Sequence, residues 1–340
     1  MQVSIIINNF NYGSFLREAI DSALNQTWPD VEVIVVDDGS EDNSADVIDS
    51  YGERITSVFK NNGGQCSSIN AGFIQSKGDV VILLDADDYL LPKTAELHAT
   101  RMQNPDVVNS CGYLDVVDID GTPLGQRVPF RLGESGNYVE ATLEHGLDLY
   151  GVTFTSGHAW SRKFLQQVLP LPEHDLPGND LIGVDGYLTA VDRLFGRIEF
   201  IHEPVGRYRR HGKNRGPMTL QMTETFLQKR INGRNLRTEF ARDWALKLGY
   251  TVDIEKLGKI RDWHNVLMRH SLSLIADNQP LVGLAELVSA PYKRFNSSIW
   301  RSTMLASGLF MVKCLPRDLS LSLSYRLLSR IPRGRRRKAV

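Results

Sequence analysis

Short hydrophobic runs alternate with helical patterns along the first hundred residues. Four runs are rich in Val, Ile and Leu, which is typical of buried strands: 3–7, 31–36, 55–59 and 80–84. Apolar residues recur at helical spacing over 15–24, with Ser14 as the predicted N-cap, and again over 65–75. This alternation predicts a doubly wound α/β unit with a mostly parallel, Rossmann-like sheet.

The pattern is mixed from about residue 106 to 210 and becomes mostly helical beyond Pro217. Strands are predicted near 107–117, 152–160 and 198–201, and helices near 162–168 and 185–195. No internal repeat or low-complexity linker separates these parts. We therefore expect an α/β domain followed by a helical C-terminal extension.

Polar residues follow three of the predicted strands, at 8–12, 37–40 and 85–88. In open α/β sheets, ligands bind beyond the carboxyl ends of the strands, so these loops could line one crevice. Asp85, Asp87 and Asp88 repel one another unless a cation or hydrogen-bond donors neutralise them. Carboxylate oxygens suit Mg²⁺ or Mn²⁺, whereas a solvated acidic turn that caps the next helix is an equally good interpretation.

The Asp37-Asp38-Gly39-Ser40 loop has two interpretations. Asp-Gly is common in hairpin turns, but a helical pattern follows here. A carboxylate at this edge of the sheet could accept hydrogen bonds from a base or a ribose, as acidic residues do in other nucleotide-binding folds.

Residues 3–92 resemble family 2 glycosyltransferases of the GT-A fold. The motifs occur in the family's order: INNFNYGSFLREAIDSALNQTWPDVEVIVVDDGSEDNS, NNGGQCSSINAGF and VVILLDADDYLLP. The resemblance implies an inverting, metal-dependent hexosyl- or N-acetylhexosaminyl-transferase with Mn²⁺ or Mg²⁺ as cofactor. It would move a sugar from a nucleotide-diphosphate sugar, with a UDP-sugar expected, to a hydroxyl of a glycan or lipid-linked acceptor in polysaccharide, cell-surface glycan or glycolipid synthesis.

The resemblance also assigns residues on the donor side. Phe10 and Tyr12 would flank the base, Asp37 and Asp38 would contact base or ribose, Asn70 would lie near the donor, and Asp85 and Asp87 would form the DxD motif, with Asp87 as direct metal ligand. Ile69 departs from the family, which often has Arg there, so another cation must meet the phosphate charge. Residues 1–105 would then form the nucleotide-sugar half, 106–217 the acceptor and catalytic half, and 218–340 the helical region.

The segment 207–214 resembles the family's Tyr-Arg-x-His-Gly-x-Asn sequence, which closes over the donor. Arg207 and Arg210 suit a diphosphate because guanidinium groups offer paired N–H donors. His211 would bind the metal or only hydrogen-bond a carbonyl group. A solvated basic loop at a domain edge is the alternative for the whole segment.

Asp185 is the candidate base for the incoming hydroxyl, since an inverting transfer requires a group that accepts its proton. Val184 stands where the family often has Glu, and Asp180 is the nearby competitor. An acidic residue favoured by the helix dipole is the structural alternative. Gly157 and His158 would lie on the acceptor side, although a buried structural histidine is the more common situation.

Two other functions remain open. A nucleotidyltransferase also uses metal-binding carboxylates, but residues 8–12 lack the cation that such an enzyme usually places after the first strand. A degenerate sugar-nucleotide binder would fit Ile69 and Val184. A dinucleotide-dependent oxidoreductase is excluded because no GxGxxG sequence follows the first strand.

Charge is distributed unevenly along the chain. The formal net charge is -1, which indicates neither nucleic acid nor an acidic partner. Residues 291–340 carry 12 Lys and Arg against one acid, or +11, and leave -12 on the rest. This tail could lie on an anionic membrane surface, whereas a helical cap with a solvated tail fits equally well.

The compartment is predicted from cysteine usage and from apolar segments. Cys66, Cys111 and Cys314 show no disulfide or zinc spacing, which suits a reducing, cytoplasmic compartment. The first nine residues favour a strand over a signal peptide. The longest uncharged stretch near the C-terminus, 302–312, is too short to span a bilayer, so any membrane association would be at the inner face.

Overall fold

The computed structural model describes residues 1–145, 147, 153–171, 173, 182–212, 214 and 224–251 of the chain. The strands within them are β1 (Val3–Asn9), β2 (Val31–Asp37), β3 (Thr56–Phe59), β4 (Val80–Asp85), β5 (Tyr89–Leu90), β6 (Val107–Val117), β7 (Pro123–Val128), β8 (Gly136–Asn137), β9 (His158–Ser161) and β10 (Arg197–Arg209). The helices are α1 (Gly13–Leu24), α2 (Ser44–Asp49), α3 (Gly64–Gln75), α4 (Thr94–Arg101), α5 (Val139–His145), α6 (Arg162–Val168), α7 (Val184–Val191) and α8 (Glu224–Lys247).

The strands form one mixed sheet in the order β3-β2-β1-β4-β9-β6-β10-β5. The first four strands in this order are parallel, as the sequence predicts. β9 runs antiparallel to both β4 and β6, whereas β6 and β10 are parallel. β7 pairs with β6, and β8 pairs with β10.

The parallel half of the sheet is covered on both faces, which explains its continuously apolar strands. The side chains of Ile5, Ile6 and Ile7 all have 0% exposure. Helix α1 contributes Leu16 and Ile20 to the same core. The carboxyl ends of these strands are polar and lie along one edge, where they can form a site.

The predicted N-cap of α1 is wrong. The helix begins at Gly13 and has Tyr12 in the cap position, with no side-chain cap hydrogen bond. The backbone N–H of Gly13 instead donates to Asp42 Oδ2 at 2.9 Å. A carboxylate from a distant loop therefore satisfies an amide at the helix start, an arrangement that local sequence does not reveal.

Two predicted strands have different lengths in the structure. The predicted strand at 152–160 begins only at His158, because residues 155–157 form a 3-10 turn. The strand predicted at 198–201 extends over all of β10, because β6 provides a partner along most of its length. The register shifts between Ile201 and Gly206 accommodate Pro204, which interrupts the hydrophobic pattern there.

The chain divides into two compact units, Met1–Val139 with Gly151–Arg215, and Glu140–Tyr150 with Gly216–Val340. The first unit contains the sheet. The described part of the second includes α8, as expected for a helical region, whereas the predicted boundaries at 105 and 217 stay predictions. The basic tail 291–340, Cys314 and Asp180 lie outside the described residues. No helix among the described residues is both long enough and apolar enough to cross a membrane.

Candidate active site

The polar ends of β1, β2 and β4 lie side by side. Asn9 is paired in register with Asp37 of β2, and Asn8 is paired with Asp85 of β4. Their side chains continue this pairing, since Asn9 Nδ2 donates to Asp37 Oδ1 at 2.7 Å and Asn8 Nδ2 donates to Asp85 Oδ1 at 2.8 Å. The strand topology thus brings the predicted loops to one edge of the sheet.

Three carboxylates cluster just beyond β4. One oxygen from each of Asp85, Asp87 and Asp88 lies within 4.8 Å of the others. Asp88 is buried, and burial, followed by the charges of Asp87 and Asp85, raises its pKa well above the ordinary value. A concentration of negative charge in partly buried surroundings is the donor set that a hard divalent cation relieves, so these residues fit Mg²⁺ or Mn²⁺.

Protein groups donate hydrogen bonds to both carboxylate oxygens of Asp88. Oδ1 accepts the backbone N–H of Arg209 at 3.0 Å, and Oδ2 accepts the Ser156 hydroxyl at 2.7 Å. Ser156 Oγ also accepts the backbone N–H of Asp85 at 3.2 Å. Asp88 therefore supports the loop, and the metal-binding roles of Asp85 and Asp87 stay predictions.

His211 lies against Asp87, and the metal-binding role predicted for it stays a prediction. Its Nε2 is 2.8 Å from Asp87 Oδ2, and its side chain is 2% exposed. The imidazole ring contacts the rings of Tyr12 and Phe15 at centroid distances of 5.3 and 5.2 Å. These contacts fix the imidazole beside the carboxylate cluster.

Gln65 connects the carboxylate cluster with the candidate base. Gln65 Nε2 donates to Asp85 Oδ1 at 2.8 Å. A Cβ placed on Gly183 would lie 2.5 Å from Asp185 Oδ1 and 3.9 Å from Gln65 Oε1, so the first turn of α7 adjoins this glutamine. Asp185 is therefore close to the site that holds Asp85.

Asp37 and Asp38 are both buried and hydrogen-bonded within the protein. Asp37 accepts the backbone N–H and the hydroxyl of Ser40. The Asp38 carboxylate accepts a hydrogen bond from Lys60 Nζ at 2.5 Å. It also accepts hydrogen bonds from the backbone N–H groups of Gly63 and Gly64 at 2.9 and 2.7 Å. These bonds hold the second loop against the glycine-rich segment, and donor contacts of the two carboxylates stay predictions.

Three arginines at the end of β10 and directly after it have different environments. Arg207 donates to Asp115 Oδ2, which engages its guanidinium group in an ion pair. Arg209 is 3% exposed, with Nε bonded to the Asp87 carbonyl oxygen at 3.1 Å and Nη1 to the Ile119 carbonyl oxygen at 2.8 Å. Among the residues that the structure describes, the Arg210 guanidinium has no hydrogen bond or ion pair. The contact of Arg210 with a phosphate group stays a prediction.

Asn70 and Phe10 occupy contrasting positions. The Asn70 amide exchanges two 2.7 Å hydrogen bonds with the backbone of Leu171, which ties α3 to the chain after α6. Phe10 is 45% exposed at the end of β1, where a ligand could reach its ring. The donor-side assignments of both residues stay predictions.

The two acceptor-side candidates are buried, Gly157 in the turn before β9 and His158 in β9 itself. Gly157 is buried, and a Cβ there would meet Thr153 at 2.6 Å. His158 is 1% exposed and stacks on Trp160 at 4.9 Å, and burial lowers its pKa to about 3. This favours the structural alternative for His158, because a side chain buried in the sheet cannot reach an acceptor in solvent.

Sequence reasoning missed Gln65, Ser156 and the structural part of Arg209. The glycines that precede Gln65 marked its loop, but no local signal indicates that its amide reaches Asp85. Ser156 and Arg209 likewise act through partners 68 and 122 residues away. Their contributions follow from tertiary structure alone.

Known proteins resemble this chain in sequence and in fold. A family profile described as Glycosyl transferase family 2 matches residues 4–168. An uncharacterized glycosyltransferase of Nostoc sp. (strain PCC 7120) is 32% identical over 259 residues, which cover 75% of this chain and 79% of that protein.

Two solved structures show the same fold at low sequence identity. S. aureus TarS 1-349 in complex with UDP-GlcNAc has a TM-score of 0.54 at 15% identity and covers 96% of this chain and 92% of its own. The mannosyltransferase PcManGT of Pyrobaculum calidifontis, in complex with GDP-Man and Mn²⁺, has a TM-score of 0.52 at 15% identity, with 96% and 85% covered. Together with the sheet order, these similarities establish the GT-A fold.

Proposed function

The chain belongs to glycosyl transferase family 2, and from that premise we propose that it transfers a sugar from a nucleoside-diphosphate sugar to a hydroxyl of a glycan or lipid-linked acceptor. A UDP-sugar is the expected donor. The observation that carries the proposal is the cluster of Asp85, Asp87 and Asp88 at the carboxyl edge of the sheet, with the first turn of α7, which contains Asp185, beside the Gln65 that donates to Asp85. Both solved structures contain a nucleoside-diphosphate sugar, UDP-GlcNAc in one and GDP-Man in the other, and this is the donor class proposed here.

Asp87 and Asp85 would hold a divalent cation, Mn²⁺ or Mg²⁺, with His211 beside Asp87. When bound, such a cation stabilises the negative charge that develops on the departing diphosphate. Asp88 keeps the loop in place through Ser156 and the backbone of Arg209. Asp88 has this supporting role because both of its oxygens accept hydrogen bonds from the protein.

Arg210 would complete the neutralisation of the diphosphate. A guanidinium group donates paired hydrogen bonds to phosphate oxygens, and such charge-assisted bonds are about twice as strong as neutral ones. Arg210 takes the place of the cation lost at Ile69, whose side chain is buried at 1% exposure. Arg207 serves this purpose less well because Asp115 already engages it.

Asp185 would accept the proton of the acceptor hydroxyl as the oxygen attacks the anomeric carbon. The bond to the diphosphate breaks on the opposite side of the sugar ring, so the anomeric configuration inverts. Gln65 donates to Asp85 and adjoins the residue that precedes α7, so the base lies on the same side of the cluster as this glutamine. Holding the base, the donor and the charged groups in a reactive arrangement lowers the activation free energy of the transfer.

The test compares Asp87→Asn with wild type by two measurements, the melting-temperature shift caused by UDP with Mn²⁺ and the release of UDP from UDP-glucose and UDP-GlcNAc. We expect the variant to lose the Mn²⁺-dependent shift and about a hundredfold or more of the hydrolysis rate. Asp49→Asn is the matched control, since it makes the same charge change at an exposed position on α2.

A panel of GDP, CDP and ADP in the melting assay identifies the base. If Asp87→Asn retains wild-type shifts and turnover while Mn²⁺ is present, the carboxylate cluster does not hold the cation and the mechanism is wrong. If Asp185→Asn hydrolyses and transfers sugar at the wild-type rate, another residue is the base.

A further inference from the structure

The turn before β9 is fastened to the carboxylate cluster. Ser156 bonds both Asp88 and the backbone of Asp85, and the backbone N–H of Gly157 donates to the Phe154 carbonyl oxygen at 2.9 Å. Phe154 therefore lies two residues from the serine that contacts the cluster. Its position relative to the candidate site is fixed by these bonds.

Phe154 is the member of this turn that faces solvent. Its side chain is 40% exposed, whereas Thr153, Thr155, Ser156 and Gly157 are buried. A single exposed aromatic residue is ordinary on a protein surface. Phe154 is distinguished from such residues by its position near the carboxylate cluster and by its contact with a second aromatic ring.

That partner is Tyr208, whose ring centroid is 4.6 Å from that of Phe154 with an interplanar angle of 32°. Tyr208 precedes Arg209, which bonds the Asp87 carbonyl oxygen. Burial raises the pKa of Tyr208, and the charges of Asp88, Asp87 and Asp85 raise it further. Tyr208 is thus adjacent in the chain to a residue that contacts the carboxylate loop.

We infer that Phe154 and Tyr208 form an acceptor subsite that binds a pyranose ring by stacking. The axial C–H groups of a β-glucopyranoside give one face of the ring an apolar surface, and an exposed aromatic ring is its natural counterpart. The neighbouring charged groups would meet the equatorial hydroxyls at the rim. The inference rests on the proposed transferase function and specifies the acceptor as a glycan at this position.

A nucleobase is the other flat ligand that an aromatic pair could stack. The candidates to flank the base, Phe10 and Tyr12, come from the end of β1 beside Asp37 and Ser40. Phe154 and Tyr208 come instead from the turn before β9 and from β10, on the strands beyond β4 in the sheet order. The two aromatic sets are therefore separate, and the second belongs with the acceptor.

The experiment measures saturation-transfer difference NMR of methyl β-D-glucopyranoside, with and without UDP and Mn²⁺. We expect the strongest transfer at H1, H3 and H5, which share one face of the ring. Phe154→Ala should weaken glucoside binding about tenfold, whereas Phe154→Trp should retain it. Phe130→Ala, which removes an aromatic ring that is 100% exposed elsewhere, is the matched control and should behave as wild type.

Three results would overturn the subsite: wild type transfers no saturation to the glucoside, Phe154→Ala transfers as much as wild type, or open-chain ribitol is saturated as strongly as the pyranoside. The UDP-induced melting shift is measured on the same samples and should be unchanged in Phe154→Ala. If UDP causes no melting shift in wild type, the proposed donor is wrong. The glucoside measurement without nucleotide tests the acceptor subsite independently of that result.

Discussion

Arg209 and Arg210 are neighbours in the chain with opposite environments. Arg209 ends β10 with its side chain buried, pairs with Glu18 of α1 and packs over the rings of Phe15 and Tyr89 at 5.1 and 5.4 Å. Arg210 is only partly buried and its guanidinium has no ion pair among the described residues. Successive side chains of a strand point to opposite faces, which explains how one basic run provides both a structural and a ligand-facing arginine.

Substitution of Arg209 should therefore reduce the stability of the fold, whereas substitution of Arg210 should reduce ligand binding. Arg209→Met leaves the carbonyl oxygens of Asp87 and Ile119 without their donors, so we expect the free energy of unfolding in urea to fall by roughly 2–4 kcal/mol. Arg210→Met should change it by less than about 0.5 kcal/mol but weaken UDP binding about tenfold. Equal destabilisation by both substitutions would contradict the assignment of Arg210 to the ligand.

Sequence identified the acidic residues but not their partners. Asp85 and Asp87 could be found because both follow a buried strand within one short motif. Nothing local distinguishes Asp88, which is bonded to Ser156, from its neighbours. The sequence favours a buried His158 only on general grounds, because the neighbours that bury it depend on β9 being inserted between β4 and β6.

At the level of elements, helix α3 packs unusually close to the sheet at Gly72. A Cβ on this residue would lie 2.4 Å from Ile6 Cγ2 and 3.1 Å from Val36 Cγ2. Glycine is unfavourable inside a helix by about 1 kcal/mol relative to alanine. The close approach accounts for its presence, and it sets the position from which Gln65 of the same helix reaches Asp85.

We expect Gly72→Ala to destabilise the fold by about 1–2 kcal/mol, because overpacking outweighs the gain in helix propensity. Ile6→Ala alone should cost about 2–5 kcal/mol. The double variant should cost at least about 0.5 kcal/mol less than the sum, since the new methyl group partly fills the space left by Ile6. Additive costs in urea denaturation would show that the two residues are not in steric contact.

Elements with local signals were predicted well, and those that depend on distant pairing were not. The four parallel strands of the first hundred residues form apolar runs with recognisable ends. The two-residue strands β5 and β8 form because β10 pairs with them. They are too short to show a periodic pattern of hydrophobic residues in the sequence. The full length of β10 could not be predicted because Pro204 interrupts its hydrophobic pattern. The pairing of β10 with β6 continues past Pro204 through register shifts.

At the scale of the whole molecule, two buried histidines connect folding to pH. His98 and His158 are 0% and 1% exposed, and burial lowers the pKa of each to about 3. The unfolded chain takes up these protons near pH 6.5, and the folded protein does not. Stability from this source is therefore complete above pH 6.5 and is lost as the pH falls from 6.5 towards 3.

Each histidine should lower the free energy of unfolding by about 2 kcal/mol between pH 7 and pH 5. Asp88 acts in the opposite sense, because its raised pKa favours proton uptake by the folded state. The informative quantity is therefore the difference between wild type and His98→Asn, which places an amide near the His98 Nδ1 that lies 2.9 Å from Ser110 Oγ. Urea titrations of both proteins at several pH values should show a shallower decline for the variant, by about 2 kcal/mol over this range. Parallel curves would mean that His98 becomes protonated in the folded protein, and the dry, closed packing between α4 and β6 would then be wrong.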